Sequence, residues 1–348
     1  MRELTDVLLA PLTTLRMGGP AARLVDVERD EDVVDAERDA KTRGEPLFVL
    51  GGGSNVVVAD EGFPGRVMRI ALRGVHVSRD GDRAVVDVAA GESWDEFVAR
   101  AVVEGWRGVE CMSGIPGLVG ATPIQNVGAY GQEVSDTIER VRVFDRDAGA
   151  FVDMLPADCG FGYRASVFKR RDRWIVTRVR FAFQVGGDSA PVRYAELAKA
   201  LSIQDGDRAS SRVVRETVLA LRRGKGMVVD AGDPDSVSAG SFFVNPVVDA
   251  STLADVEIRA GERPPRFDAG DGRFKLAAAW LVERAGFPRG WGEGRVGVSR
   301  KHALALVNRG GGSAGELLTV ARTIREGVKG RFGVELEPEP VLVGCSWS

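Results

Sequence analysis

The sequence is short of the residues on which much protein chemistry depends. Three cysteines among 348 residues (Cys111, Cys159 and Cys345) form an odd, scattered set without a CxxC pair. They provide neither a disulfide framework nor a thiolate metal site. Two histidines, His76 and His302, are too few for a histidine-built metal centre, and no metal is expected. No run approaches the roughly 18 apolar residues of a membrane span. The N-terminal MRELTDVLLAPLTTLRMGG breaks its short apolar piece at Pro11 and lacks the apolar region of a signal peptide. A reduced, cytoplasmic location follows as the expectation. The net charge is −3, with arginine interspersed among Asp and Glu, so neither nucleic acid nor a membrane surface is an expected partner.

What the chain does have is glycine, concentrated in two apolar settings. LFVLGGGSNVVV (Leu47–Val58) places Gly51, Gly52, Gly53, Ser54 and Asn55 between two β-rich runs. CMSGIPGLVGATPIQNVGAY (Cys111–Tyr130) carries four glycines and two prolines. Glycine allows positive φ and close approach of a ligand to the main chain. Successive unobstructed N–H groups then form a nest for an anion such as phosphate. Two such loops upstream of midchain point to one extended ligand with a phosphate bridge. Neither is a dinucleotide fingerprint or a P-loop, because no GxGxxG opens a helix and no Gly-Lys-Ser/Thr follows. The first, taken alone, reads equally well as a tight turn. Gln125 and Asn126 add two amides able to donate and accept toward a heterocycle or ribose.

At 348 residues the chain has room for two or three domains. Strands are expected at 22–27, 47–50, 56–58, 66–71, 141–145, 151–155 and 174–184. A hairpin spans 74–90 with its turn at Arg79–Asp82. Helices are expected at 31–43 with Asp30 as N-cap and Gly44 at its end, and from Ser93 to Glu104. The polar, Pro-ended VGGDSAP (Val185–Pro191) marks the main boundary. Beyond it, helical spacing at 193–201, 211–223, 275–284 and from Ser313 to 329 alternates with strands at 241–248, 303–307 and 341–343.

Four places could carry chemistry. Arg164 in GFGYRASVFK offers a guanidinium fork for a carboxylate, or merely lays its stem on Tyr163 or Phe168. Ser241 in AGSFFVNP has no sequence-adjacent base, which argues against a hydrolase nucleophile, yet a serine can relay a proton. Glu337 and Glu339 in VELEPEPVLVG share one strand face; they form an acidic edge, or one is a carboxyl in an apolar pocket. His302 at a strand start reads as structural, and the glycines of 309–316 as a connection to a capped helix.

Seven motifs in register resemble one family, UDP-N-acetylenolpyruvoylglucosamine reductase: LGGGSN, SGIPGLVGATPIQNVGAYGQE, GYRASVFK, AGSFFVNP, KLAAAWLVERAGF, SRKHALALVN and LEPEPVLVG. The resemblance implies an α+β fold with an FAD-binding part of the vanillyl-alcohol-oxidase type. Its two subdomains would span 1–65 and 66–185, with a substrate-binding domain at 190–330 and a segment 331–348 returning a catalytic glutamate to the active site. It implies an oxidoreductase of peptidoglycan synthesis, and so of cell-wall biogenesis, cell shape and division. By that resemblance, tightly bound FAD would take hydride from NADPH and pass it to the enolpyruvyl double bond of a UDP-linked amino sugar.

By the same resemblance, Gly51, Gly52, Gly53, Ser54, Asn55, Ser113, Gly114, Ile115, Pro116, Gly117, Gly120, Ala121, Gln125, Asn126, Gly128 and Ala129 would line FAD. Ser241 would donate the proton, with Arg164 and Glu339 stabilising the enediolate-like intermediate, so the family motif selects Glu339 over Glu337. Tyr130, Arg222, Lys225 and Asn245 would bind substrate. Val192–Leu201 resembles the longer type of the family, with Tyr194 as a lid residue. Val244 stands where many members carry lysine. A monomer is expected. The rivals are another FAD-dependent oxidase or dehydrogenase of this fold and a non-catalytic nucleotide-binding protein.

Overall fold

The computed structural model describes residues 2–347. Two compact units are built from interleaved stretches of chain. The first comprises the residues up to Val7 together with 21–52 and 64–223, and the second comprises 8–20, 53–63 and everything from Gly224 onward.

The first unit opens with a four-stranded sheet in the order Glu3–Leu8, Pro20–Val27, Phe63–Ile70, Leu47–Leu50. Its last two strands run parallel, a pairing that needs a long crossover rather than a hairpin. The helix Asp30–Arg43 buries Val33 and Ala36 in a cluster with Val25, Val27, Met68 and Ile70. It stops at Gly44, whose φ of 63° is the left-handed conformation that ends helices. Its N-cap is Arg29 rather than the expected Asp30, because Asp32 reaches back to the N–H groups of Glu28 and Arg29.

A second sheet runs Ala150–Met154, Ile138–Asp145, Trp174–Val185, Arg83–Ala89, Val75–Asp80, with Trp106–Arg107 also pairing Trp174–Val185. All of its pairings are antiparallel. Val141, Val143, Val179, Phe181, Val86 and Val88 alternate onto one face. There they pack with Trp94, Phe97 and Val98 of the helix Trp94–Val103. Ser93 caps that helix by accepting the Glu96 N–H.

The boundary expected at 185–191 falls differently. The helices Ala195–Leu201 and Ser211–Gly224 belong with the first unit up to Arg223. Leu197, Val214 and Val218 share a buried cluster with Cys111, and Arg215 pairs with Asp95. Apolar burial outweighs the polar composition of the 185–191 link.

In the second unit the helix Ala314–Phe332 buries Leu317, Leu318, Ala321, Ile324, Val328 and Phe332 against Phe242, Phe243, Leu281, Val298 and Leu306. The same core takes in Leu15, Met17 and Val57 from the N-terminal third of the chain. Ser313 and Glu316 form the expected capping box, and Asp60 accepts the N–H groups of Ala314 and Gly315. The strand expected over 241–248 divides into Ser238–Ser241 and Val247–Val248. The helix expected from 275 begins at Ala278, because Phe274–Leu276 is taken up pairing with Arg266–Asp268. The helix Ala250–Ala260 and the strands Glu3–Leu8 and Val296–Val298 are among the elements that were not expected. Among the described residues no helix is long and apolar enough to cross a membrane.

Candidate functional site

The first glycine loop leaves the strand Leu47–Leu50 and meets the second main chain to main chain. A Cβ on Gly52 would lie 2.7 Å from Gly117 Cα, a separation that no side chain tolerates. Gly51 faces Ala121 across an ordinary 3.8 Å. Gly53 needs glycine twice over, with φ at 62° and a would-be Cβ 1.9 Å from the Leu12 carbonyl oxygen. Among the described residues, no protein acceptor takes the N–H groups of Gly51, Gly52, Gly53 or Ser54. Such donors at a bare backbone are able to take an anion.

The second loop is held from behind. Glu110 is wholly buried, and its carboxylate accepts from the N–H groups of Gly108, Val109 and Ala190 and from Gln132 Nε2 at 2.6–3.0 Å. Gln132 in turn accepts the Cys111 N–H at 2.8 Å. Four donors around one buried carboxylate satisfy its charge and fix both ends of the loop. The Trp94 N–H donates to Gly117 and the Val119 N–H to Glu92, which lays the loop along the start of the helix Trp94–Val103.

That fastening changes what three expected ligand-lining residues present. Ser113 is buried and its hydroxyl donates to the Glu110 carbonyl at 2.6 Å. The Gly120 N–H donates to Ala90, against which the loop packs too closely for any side chain. The buried Asn126 amide donates to Glu133 and Gly162 and accepts from Ser135. Ile115, Pro116, Gly117, Gln125, Gly128 and Ala129 are half-buried, while Gly114 is buried.

Three residues here hold positive φ without being glycine: Asn126 at 46°, Tyr130 at 48° and Arg164 at 50°. Such strain gathers where neighbours over-determine a geometry, commonly at functional sites. The Arg164 guanidinium donates to the carbonyls of Gly128 at 2.7 Å and Asn126 at 3.4 Å, and it lies 5.4 Å from the Tyr163 ring. Arg164 thus rests on an aromatic, and its fork is held by carbonyls of the second glycine loop.

Tyr130 meets Tyr194 edge to face, with ring centroids 5.3 Å apart. Burial pushes the Tyr130 phenol up to about 12, against the pull of Arg222. Arg222 donates to the Gly114 carbonyl; its crowded surroundings lower its pKa, while Tyr130 and Asp95 favour its charge. Asp95 accepts the Gly114 N–H at 2.6 Å and two guanidinium bonds from Arg215 at 2.6 and 3.1 Å. Burial works to raise the Asp95 pKa, but Arg215 and the Gly114 N–H outweigh it and hold it below the ordinary value. Asp95, Arg215, Glu110 and Gln132 escaped the sequence reading. Asp95 had a legible sign, an acid in the first turn of a helix capped at Ser93.

In the second unit Ser241 ends the strand Ser238–Ser241 after a register shift against Ala305–Asn308. Gly240 takes up the shift with φ at 75°, and such bulges re-aim the next side chain. The LEPEP segment pairs with the chain just past Ser241. The Glu339 N–H donates to Phe242 at 2.8 Å and the Val244 N–H to Glu337 at 3.0 Å. This sets Glu339, half-buried, opposite Phe242, the residue after Ser241, whereas Glu337 is exposed. Asn55, at the end of the first glycine loop, reaches the Glu339 carbonyl at 3.5 Å, and Val56–Val58 pairs in parallel with Val341–Val343. Asn245 Oδ1 accepts the Ala278 N–H and so caps the helix Ala278–Arg284. Lys225 is half-buried. His302 Nδ1 accepts the Leu304 N–H, the structural place expected for it. No cluster of His, Cys, Asp and Glu among the described residues could hold a metal ion.

A family model described as FAD binding domain matches residues 21–154. A second, described as UDP-N-acetylenolpyruvoylglucosamine reductase, C-terminal domain, matches residues 233–343. The chain is 51% identical to the UDP-N-acetylenolpyruvoylglucosamine reductase of Thermobifida fusca (strain YX) over 98% of both chains. It is 53% identical to that of Saccharopolyspora erythraea over 97% of this chain and 95% of the relative. The solved structure of the reductase from Thermus caldophilus superposes with a TM-score of 0.66 at 28% identity, covering 98% of each chain. The α+β, FAD-binding architecture expected from the motifs is therefore present, and the chain belongs to the UDP-N-acetylenolpyruvoylglucosamine reductase family.

Proposed function

We propose that this chain reduces UDP-N-acetylenolpyruvoylglucosamine to UDP-N-acetylmuramate with NADPH, through FAD, for peptidoglycan synthesis. The observation that carries the reading is the pairing of LEPEP with the chain directly after the bulged Ser241, which sets Glu339 opposite Phe242, one residue from the hydroxyl in sequence. FAD fits the residues present: the N–H groups of Gly51 to Ser54 offer donors to a diphosphate, and the bare face of Gly52 admits it closely. When bound, FAD supplies two-electron chemistry, accepting hydride from NADPH and donating it to the enolpyruvyl double bond.

The remaining work falls to the chain. Ser241 gives its hydroxyl proton to the carbon next to the substrate carboxylate, where carbanion character develops. A hydroxyl is a poor acid in water, so its contribution depends on the placement the bulge provides. Arg164 meets the substrate carboxylate and favours the charge that grows there, and Glu339 donates a hydrogen bond to the same group. Tyr130 and Tyr194 bind the sugar, Arg222 and Lys225 the diphosphate, and Asn245 a further polar group of the substrate. Division into an FAD-binding part and a substrate domain belongs to this reading, with the interleaved bounds of the two units in place of the contiguous 1–65, 66–185 and 190–330. So do a cytoplasmic, monomeric state and the absence of nucleic-acid and membrane partners. The experiment is a spectrum: the purified protein is yellow, bleaches with NADPH and recovers its colour on adding the enolpyruvyl substrate. Recolouring by oxygen alone, with no response to that substrate, overturns the reading.

A further inference from the structure

Two neighbouring strands carry the same short pattern, Arg140-Val141-Arg142 on Ile138–Asp145 and Arg178-Val179-Arg180 on Trp174–Val185. Side chains alternate along a strand. Val141 and Val179 are fully buried in the core, so the four arginines lie on the other face. The antiparallel register sets Arg140 opposite Arg180 and Arg142 opposite Arg178. Like charges directly opposite on one face repel, so this arrangement works against the sheet unless something answers it.

Three carboxylates answer part of it. Asp153 pairs with Arg140 at 3.2 Å, Asp30 with Arg142 at 3.3 Å and Asp87 with Arg180 at 3.0 Å. Among the described residues no carboxylate pairs with Arg178, and Arg140 Nε is buried without an acceptor. These seven side chains line a cavity of about 240 Å³, four cations against three anions in a chain whose net charge is −3.

We propose that this cavity binds a small anion carrying one or two phosphate groups. Guanidinium forks match phosphate oxygens in pairs, and strands hold them in place better than flexible lysines on a loop would. One water needs only about 10–15 Å³ of such space, so the cavity has room for a diphosphate with some of its hydration. A purely structural ion network balances its charges; this one leaves a cation over and opposes like charges twice. All the lining residues lie in the first unit, and none belongs to the glycine loops or to the residues assigned to substrate.

The test is thermal unfolding of the full-length, FAD-loaded protein in low salt with pyrophosphate, and separately with ADP. Saturating UDP-N-acetylmuramate covers the substrate's own diphosphate site. A ligand bound only by the folded state raises Tm. Pyrophosphate or ADP should raise Tm, and whichever does so identifies a free or a nucleotide-borne diphosphate. Arg178→Gln should weaken that response at least about tenfold, a loss of about 1.4 kcal/mol in binding. Without anion the variant should be no less stable than wild type, since it removes one repulsive pair. The proposal is overturned if neither ligand raises Tm, or if Arg178→Gln keeps the full response. It is also overturned if the variant is destabilised in anion-free buffer, because Arg178 would then serve the fold.

Discussion

At the scale of single residues, Ser241 and Glu339 make separable predictions. Ser241→Ala should leave bleaching by NADPH intact while slowing recolouring by substrate about a hundredfold or more, the usual worth of a placed proton donor. Equal loss in both phases, followed by stopped-flow absorbance, would remove Ser241 from the proton step. Glu339→Gln keeps a hydrogen-bond donor where Glu339→Ala does not, so the amide should retain about tenfold more activity. If the two variants are equally slow, the donor role fails. Tyr130 has a signature that needs no substrate. Its phenol is raised to about 12 by burial, against an ordinary value of about 10. Between those pH values the folded state holds a proton that the unfolded state has released. Stability is therefore untouched below pH 10 and falls as pH climbs toward 12. Tyr130→Phe should flatten that alkaline fall in urea midpoints measured from pH 9 to 12, and an unchanged slope would show that the phenol is well solvated.

At the scale of elements, two glycines with opposite surroundings test what the loops are for. Gly44 ends a helix at positive φ with open space where a Cβ would go. Gly44→Ala should cost about 1 kcal/mol of stability and leave flavin content unchanged. Gly52 abuts Gly117 at main-chain distance, so Gly52→Ala must part the two loops and should yield protein with most of its flavin lost. Retention of full colour in Gly52→Ala would disconnect the loop contact from cofactor binding. The contrast also explains what could be read in advance. Helices announce themselves locally, by apolar spacing and caps: Gly44, Ser93 and the Ser313–Glu316 box all appear where the sequence put them. Even so, Asp249 capping Ala250–Ala260 was overlooked, although the Asp–Thr252 spacing was there to see. Strand partners carry no such local mark. Nothing in VVV or VLV says that residues 56–58 and 341–343 pair, nor that Asn55 touches Glu339. The family motifs gave Glu339 its proposed role, and only the fold gives its pairing partner. Asn126 shows the converse, an amide that composition offered to a ligand and that Glu133, Gly162 and Ser135 engage instead.

At the scale of the whole molecule, the second unit is not a contiguous piece of chain, although the C-terminal family model spans 233–343 without a break. Its core includes Leu15, Met17 and Val57, at no more than 3% exposure, from two segments more than 160 residues upstream. Polar contacts follow the same route. Asn308 donates to the Leu15 carbonyl, Asp60 caps the helix Ala314–Phe332, and Val56–Val58 completes the pairing of Val341–Val343. Truncating one buried Leu or Met to Ala costs about 2–5 kcal/mol, and a domain's whole stability is about 5–15 kcal/mol. Losing Leu15, Met17 and Val57 together is therefore comparable with the whole stability of a domain. Residues 224–348 expressed alone should lack a cooperative urea transition and show poorly dispersed amide resonances. A chain in which Leu8–Pro20 and Gly53–Phe63 are supplied by short linkers should recover both. The interleaving also ties the LEPEP strand to the end of the first glycine loop within one cooperative unit, so disordering either should disorder the other. A fragment 224–348 that unfolds sharply, with a midpoint near that of the full chain, would mean that the upstream segments decorate this core and do not build it.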